Sequence, residues 1–195
     1  MLGALILVPL VIVIWVVAWT VAKVGDAWGA SVLARLAPAI DGEVSRDGPH
    51  ASGTYRGLPV RISFTKGQSV GTGESASRMN AFFIEVPGVP GETTWAISFR
   101  PTSWLGQDKD LVVSSPDAAL SGRLEASGAR ELIAGVNRPS LDYVVVTYDA
   151  RAQVLTYTDD MTPRLVPAAD HFDRELDLVA RLTAINAAAN PARPS

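Results

Sequence analysis

The chain contains no cysteine. That excludes disulfides, thiolate metal sites and nucleophilic thiols, and it removes the signal that separates an oxidising compartment from a reducing one. Histidine is nearly as scarce, with His50 and His171 the only two. A metal site would have to draw on carboxylates beside them. Charged residues make up 19% of the sequence and the net charge is −3. There is no cationic surplus to neutralise phosphates, so no nucleic-acid partner is expected. Internal repeats and extended low-complexity tracts are absent too. Gly71-Thr72-Gly73-Glu74-Ser75 lacks both the helix start behind the glycines that a phosphate cradle needs and the lysine of a P-loop, which leaves a hairpin loop.

What the sequence does have is one long uncharged run at residues 2–22, LGALILVPLVIVIWVVAWTVA. At about 1.5 Å per residue, such a helix spans roughly the 30 Å hydrocarbon core of a bilayer. A helix on the surface of a soluble domain would carry a polar face, and this run offers only Thr20. It is expected to cross the membrane once. No basic n-region precedes it, and Ala27-Trp28-Gly29 is a poor cleavage site, so retention as an anchor is expected rather than removal as a signal peptide. Lys23 and Arg35 follow the run and no side-chain cation precedes it, which places the rest of the chain in the cytoplasm by the positive-inside rule.

Helical spacing continues through Trp28, Val32 and Leu36 until Pro38, so residues 1–37 read as a spanning helix with a juxtamembrane extension. Trp19, Lys23 and Trp28 suit the headgroup level as interface anchors. Ala18, Ala22, Gly25 and Gly29, at spacings of four, three and four, form a stripe of small residues along which another helix could pack closely. A single span has no neighbour in its own chain, so a helix–helix interface there would be intermolecular.

Residues 38–53 are rich in Gly, Pro, Asp and Ser and read as a linker, with a short first strand around residues 42–46. Residues 54–190 read as one domain. Alternation predicts strands at Val60-Ile62-Phe64, Phe82-Ile84-Val86 and Trp95-Ile97-Phe99, with a further short one at 111–114. Ser115-Pro116-Asp117 predicts a helix start, with Ser115 as cap and Pro116 first in the helix. Gly128 divides that helix from a second short one. Residues 141–148, LDYVVVTY, are apolar on both faces and predict a central strand, returned by a turn at 149–152 into VLTYT. A last helix over 170–189 carries the stripe Phe172, Leu176, Val179, Leu182, Ile185 and Ala189. Runs of strands followed by runs of helices predict an α+β domain, largely antiparallel, with its helices on one face.

Chemistry is harder to find. Gly67-Gln68-Ser69-Val70-Gly71 matches the nucleophile-elbow pattern, with Asp142, Asp159, Asp160 and His171 downstream in hydrolase order. The elbow needs a strand-to-helix turn over a parallel sheet, and a polar TGESAS follows instead, so no catalytic residue is assigned. Asp159-Asp160 reads as a solvated turn without the oxygen spacing of a calcium loop, and no metal site or cofactor is assigned. Arg61 and Arg100, with Ser63, Thr65 and Ser98, would form a small cationic patch if their strands were neighbours. Trp104 lies in a loop, as a core plug or a partner anchor. The function expected is that of a membrane-anchored, non-catalytic accessory subunit bound to integral-membrane partners. The alternatives are a membrane-tethered enzyme such as a serine hydrolase acting through Ser69, and a sensor holding a ligand or peptide between sheet and last helix.

Overall fold

Val60, Ile62 and Phe64 are buried while Arg61 between them is exposed, and that period of two gives a strand with one dry face. The same alternation repeats along the chain and produces eight strands and four helices among the residues that the structure, a computed structural model, describes: 29–46, 48, 50–70, 77–101, 109–136, 145–161 and 169–191. In order they are helix α1 (29–36), a 3-10 turn (Ala37–Ile40), β1 (Glu43–Val44), β2 (His50–Tyr55), β3 (Leu58–Val70), β4 (Ser77–Pro87), β5 (Trp95–Pro101) and β6 (Lys109–Ser114). Then follow α2 (Ala118–Ala126), α3 (Ala129–Val136), β7 (Val145–Asp149), β8 (Val154–Met161) and α4 (Ala169–Ala189). The fold is α+β, built on one large antiparallel sheet.

The sheet order is β1-β2-β3-β4-β8-β7-β5-β6. A single row shows why it holds together: Ala51, Ile62, Ile84, Tyr157, Val146, Ile97 and Val113 follow one another across seven strands. Every member of that row is buried. The hairpin β7–β8 enters between β4 and β5, so the chain leaving β4 must cross three strand spacings, roughly 14 Å, before it pairs again. Residues 88–94 make this crossing. On the same face as the buried row, Phe172 of α4 meets Phe82 of β4 edge to face, with ring centroids 5.8 Å apart.

Several local expectations shift. The cap of α2 is Asp117, whose carboxylate accepts the Ala119 N–H at 2.8 Å. Ser115 stands two residues earlier and accepts the Asp117 N–H at 3.2 Å. The stretch read as a linker, 38–53, holds the 3-10 turn, β1 and most of β2, and Ile40 and Ala51 are fully buried. Its glycines are a packing device rather than a sign of looseness. A Cβ on Gly53 would lie 2.2 Å from the Ile40 carbonyl oxygen, and one on Gly42 would lie 2.5 Å from that of Ser52. Two backbones cross here at a distance only glycine permits.

The juxtamembrane extension also ends differently. Residues 29–36 are helical, as the spacing predicts, but Val32, Leu33 and Leu36 lie in the core of the domain. Residues 29–36 therefore pack with the folded domain. Among the described residues no helix is long and apolar enough to cross a membrane. The apolar run at 2–22 lies outside the described residues.

Candidate functional site

The buried row one step along the sheet runs Phe64, Phe82, Asp159. Period two from Leu155 and Tyr157 brings Asp159 onto the inward face of β8, where it is 1% exposed. Above it pass the first turns of α4. Phe172, Leu176 and Val179 set the buried stripe of that helix, and His171 and Glu175 fall on it as well, 6% and 0% exposed. His171 Nε2 lies 3.0 Å from Glu175 Oε1, one helical turn away, and the Tyr157 hydroxyl donates to the same oxygen at 3.2 Å. One ligating atom from each of Asp159, His171 and Glu175 lies within 4.8 Å of the other two. An acid from a strand and a His–Glu pair from a helix thus converge in the interior.

A second buried polar set lies at the other end of α4 and grips the 88–94 crossing. Asn186 Oδ1 accepts the Trp95 indole N–H at 2.7 Å, and its Nδ2 donates to the Pro90 carbonyl at 2.8 Å. Asn190 Oδ1 accepts the Glu92 and Thr93 N–H groups, and its Nδ2 donates to the Thr93 carbonyl at 2.8 Å. The Tyr148 hydroxyl donates to the carbonyls of Val89 and Gly91. A Cβ on Gly91 would come within 2.7 Å of Asn190 Nδ2 and 2.8 Å of the Tyr148 oxygen, so the loop fits only without one. All partners here belong to the chain itself, and the arrangement is structural. Burial pushes the Tyr148 phenol above its ordinary value; a hydrogen bond with Asn186 partly offsets this, and the Asp149 charge adds to it.

Between α3 and α4 lies an open groove of about 250 Å³ lined by Glu131, Leu132, Val136, Arg174, Leu178 and Arg181. Its lining mixes both signs of charge over a small apolar floor and selects no ligand class. The space between the sheet and α4, where the sensor reading puts a ligand, is filled by Phe82, Phe172, Leu176, Val179 and Leu182.

The residues singled out in the sequence disperse. Ser69 sits in β3 opposite Arg78 of β4. Its neighbourhood is an antiparallel ladder rather than the strand-to-helix turn of a nucleophile elbow. β3 and β5 are separated by β4, β8 and β7, so the strands that carry Arg61 and Arg100 are not neighbours; Arg61 Nε lies 3.9 Å from Glu85 Oε2 on the next strand. His50 is half-buried on β2, opposite Ser63. Asp159 is an inward residue of a strand rather than a solvated turn. Gly29 is buried in α1, and a Cβ there would lie 3.6 Å from the Phe64 ring. That contact turns it toward its own sheet rather than toward a foreign helix. Ala18, Ala22, Gly25, Trp19, Lys23, Trp28, Trp104 and Asp142 lie outside the described residues. Glu175 was missed by pattern, although its place on the α4 stripe, three residues after Phe172 and four before Val179, marks it as inward. Comparison with known proteins brings no further assignment: no family model, no curated protein and no solved structure matches the chain.

Proposed function

We propose that this protein is a single-pass, membrane-anchored accessory subunit whose α+β domain is held against a larger membrane assembly on the cytoplasmic side. The observation that carries the reading is the place of α1. Val32, Leu33 and Leu36 are built into the core of the domain, so only residues 23–28 separate the apolar run at 2–22 from folded structure. A tether of that length cannot let the domain range far from the bilayer; even fully extended it reaches roughly 20 Å. Such a mount suits a part that must keep one orientation toward a neighbour, and it suits poorly an enzyme or receptor that searches the aqueous phase.

The sheet supplies a surface for that neighbour. The face opposite the buried row presents Ser63, Phe83, Thr147, Thr156, Thr158 and Val112, half-buried, beside the Arg61–Glu85 pair. The threonines and serine among them would cost little side-chain entropy when a partner docks.

The reading is tested on membranes from cells expressing the full chain with a tag after Ser195. Alkaline carbonate should leave the protein in the membrane pellet, and external protease on intact cells should leave the tag intact. After extraction in mild detergent, sizing should show it co-migrating with integral-membrane proteins. Release by carbonate would remove the anchor, digestion of the tag would reverse the orientation, and migration as a lone chain in its micelle would end the accessory reading.

A further inference from the structure

We propose that Asp159, His171 and Glu175 form a binding site for one divalent transition-metal ion of the zinc class, joining β8 to the first turns of α4. The donors come from two separate elements, and one ligating atom from each lies within 4.8 Å of the others. Ligands bound at about 2.0–2.1 Å to a common tetrahedral ion stand about 3.3 Å apart. The His171–Glu175 pair is already at 3.0 Å, and no donor pair need close by more than about 1.5 Å to reach that spacing. Charge fits as well: with a neutral imidazole the two carboxylates carry −2, which a divalent ion cancels inside an otherwise apolar layer.

Around the donors stand Phe82 and Phe172, the edge-to-face pair on the neighbouring strand and the same helix, so a bound ion would be shielded on that side. The Tyr157 hydroxyl, 3.2 Å from Glu175 Oε1, supplies the outer hydrogen bond that orients a ligating carboxylate. One nitrogen and two oxygen donors suit zinc, iron(II) or manganese(II). They do not suit copper(I), which prefers sulfur, or calcium, which takes six to eight oxygens. The competing arrangement is a metal-free cluster held by hydrogen bonds within the chain, such as that of Tyr157 to Glu175.

The two are separated with the purified full chain in detergent, stripped by chelator and titrated with zinc, and with cobalt(II) as a spectroscopic probe. One equivalent of zinc should bind per chain and raise the unfolding temperature, and cobalt should give visible d–d absorption that zinc abolishes. Asp159→Asn and His171→Gln should each weaken binding by at least a hundredfold. Tyr157→Phe should weaken it by about 10- to 100-fold, and His50→Gln should leave it unchanged. Substoichiometric binding by the wild-type chain, or no change in its unfolding temperature with zinc, would leave the metal-free cluster and overturn the site. Should the core variants fail to fold, the wild-type stoichiometry and temperature shift decide alone. Binding lost in His50→Gln but kept in folded His171→Gln overturns it equally.

Discussion

Asn186 uses both ends of its amide on segments far from it in sequence, accepting from Trp95 and donating to Pro90. Asn186→Ala would leave a buried indole N–H without this acceptor and open a small void beside it. The cost should be about 2–3 kcal/mol, read by chemical denaturation of the full chain in detergent; a loss below about 0.5 kcal/mol would mean that the clamp is dispensable. Two phenols, Tyr148 beside this clamp and Tyr55 beside Asp177, report through their protons. The Tyr148 phenol is pushed up by burial, and that of Tyr55 by burial, by its hydrogen bond to the Asp177 carboxylate and by the nearby acids, with Arg56 opposing. Both folded values lie above the ordinary 10.0, so the native state holds these protons more tightly than the unfolded chain does. Below pH 10 both states are neutral and this stability is fully present. As pH rises further the unfolded chain ionises first, and the stability is lost on the way to the folded values. Phenolate absorbance of the native protein should therefore lag behind that of the denatured chain, and Tyr148→Phe should flatten the alkaline fall in stability; coincident titration curves would contradict the shifts. At this scale the sequence was readable in principle where it was misread. Asp159 follows Leu155 and Tyr157 at period two, and Glu175 sits on the α4 stripe. Chemical type suggested a solvated turn for Asp159 and left Glu175 unremarked, while position said interior for both.

Elements with a strong period were legible, and those made by long-range pairing were not. The alternation in β3, β4 and β5, the α4 stripe, the break at Gly128 and the turn at 149–152 all reach the structure as expected. β2 did not announce itself, because HASGTY contributes only Ala51 to the core; what makes it a strand is its ladder with β3. β7 carries the opposite lesson. Its apolar run read as covered on both faces, and it does lie inside the sheet, yet Thr147 on its outer side is only half-buried. The crossing of the 3-10 turn by β2 gives a sharp test of an element held by close approach. Gly53→Ala puts a methyl 2.2 Å from the Ile40 oxygen and 2.6 Å from Gly42 Cα, backbone atoms that cannot swing aside, and should cost about 2–3 kcal/mol. Gly122→Ala, within α2 and with nothing within 4 Å of its added carbon, should instead stabilise by about 0.5–1 kcal/mol. Equal thermal shifts for the two variants would show that the crossing is looser than its distances.

For the whole molecule, the question is whether the first segment only holds the domain at the membrane or also chooses its partner. Within the stripe Ala18, Ala22, Gly25 and Gly29, the last member faces Phe64 of its own chain, so a bulky residue there would disturb the domain whatever the segment does in lipid. Gly29→Leu is therefore expected to lower domain stability and cannot report on association. The informative change is Ala22→Leu with Gly25→Leu, upstream of the folded core. In lipid the hydrophobic effect gives helices no reason to associate, and close contact along small residues is a main source of affinity. Added bulk should block such contact while keeping the run apolar enough to insert. Leucine also exceeds glycine in helix propensity, so lost association would not stem from unwinding. The control is Val13→Leu with Val17→Leu, which adds volume elsewhere along the same run. The stripe variant should insert, fold with an unchanged domain melting temperature, and lose its co-migrating partners in mild detergent, while the control keeps them. If both retain their partners equally, the segment is an anchor alone. Recognition would then fall to the open face of the sheet, where Phe83→Asp should abolish co-migration without reaching the core row on the other side.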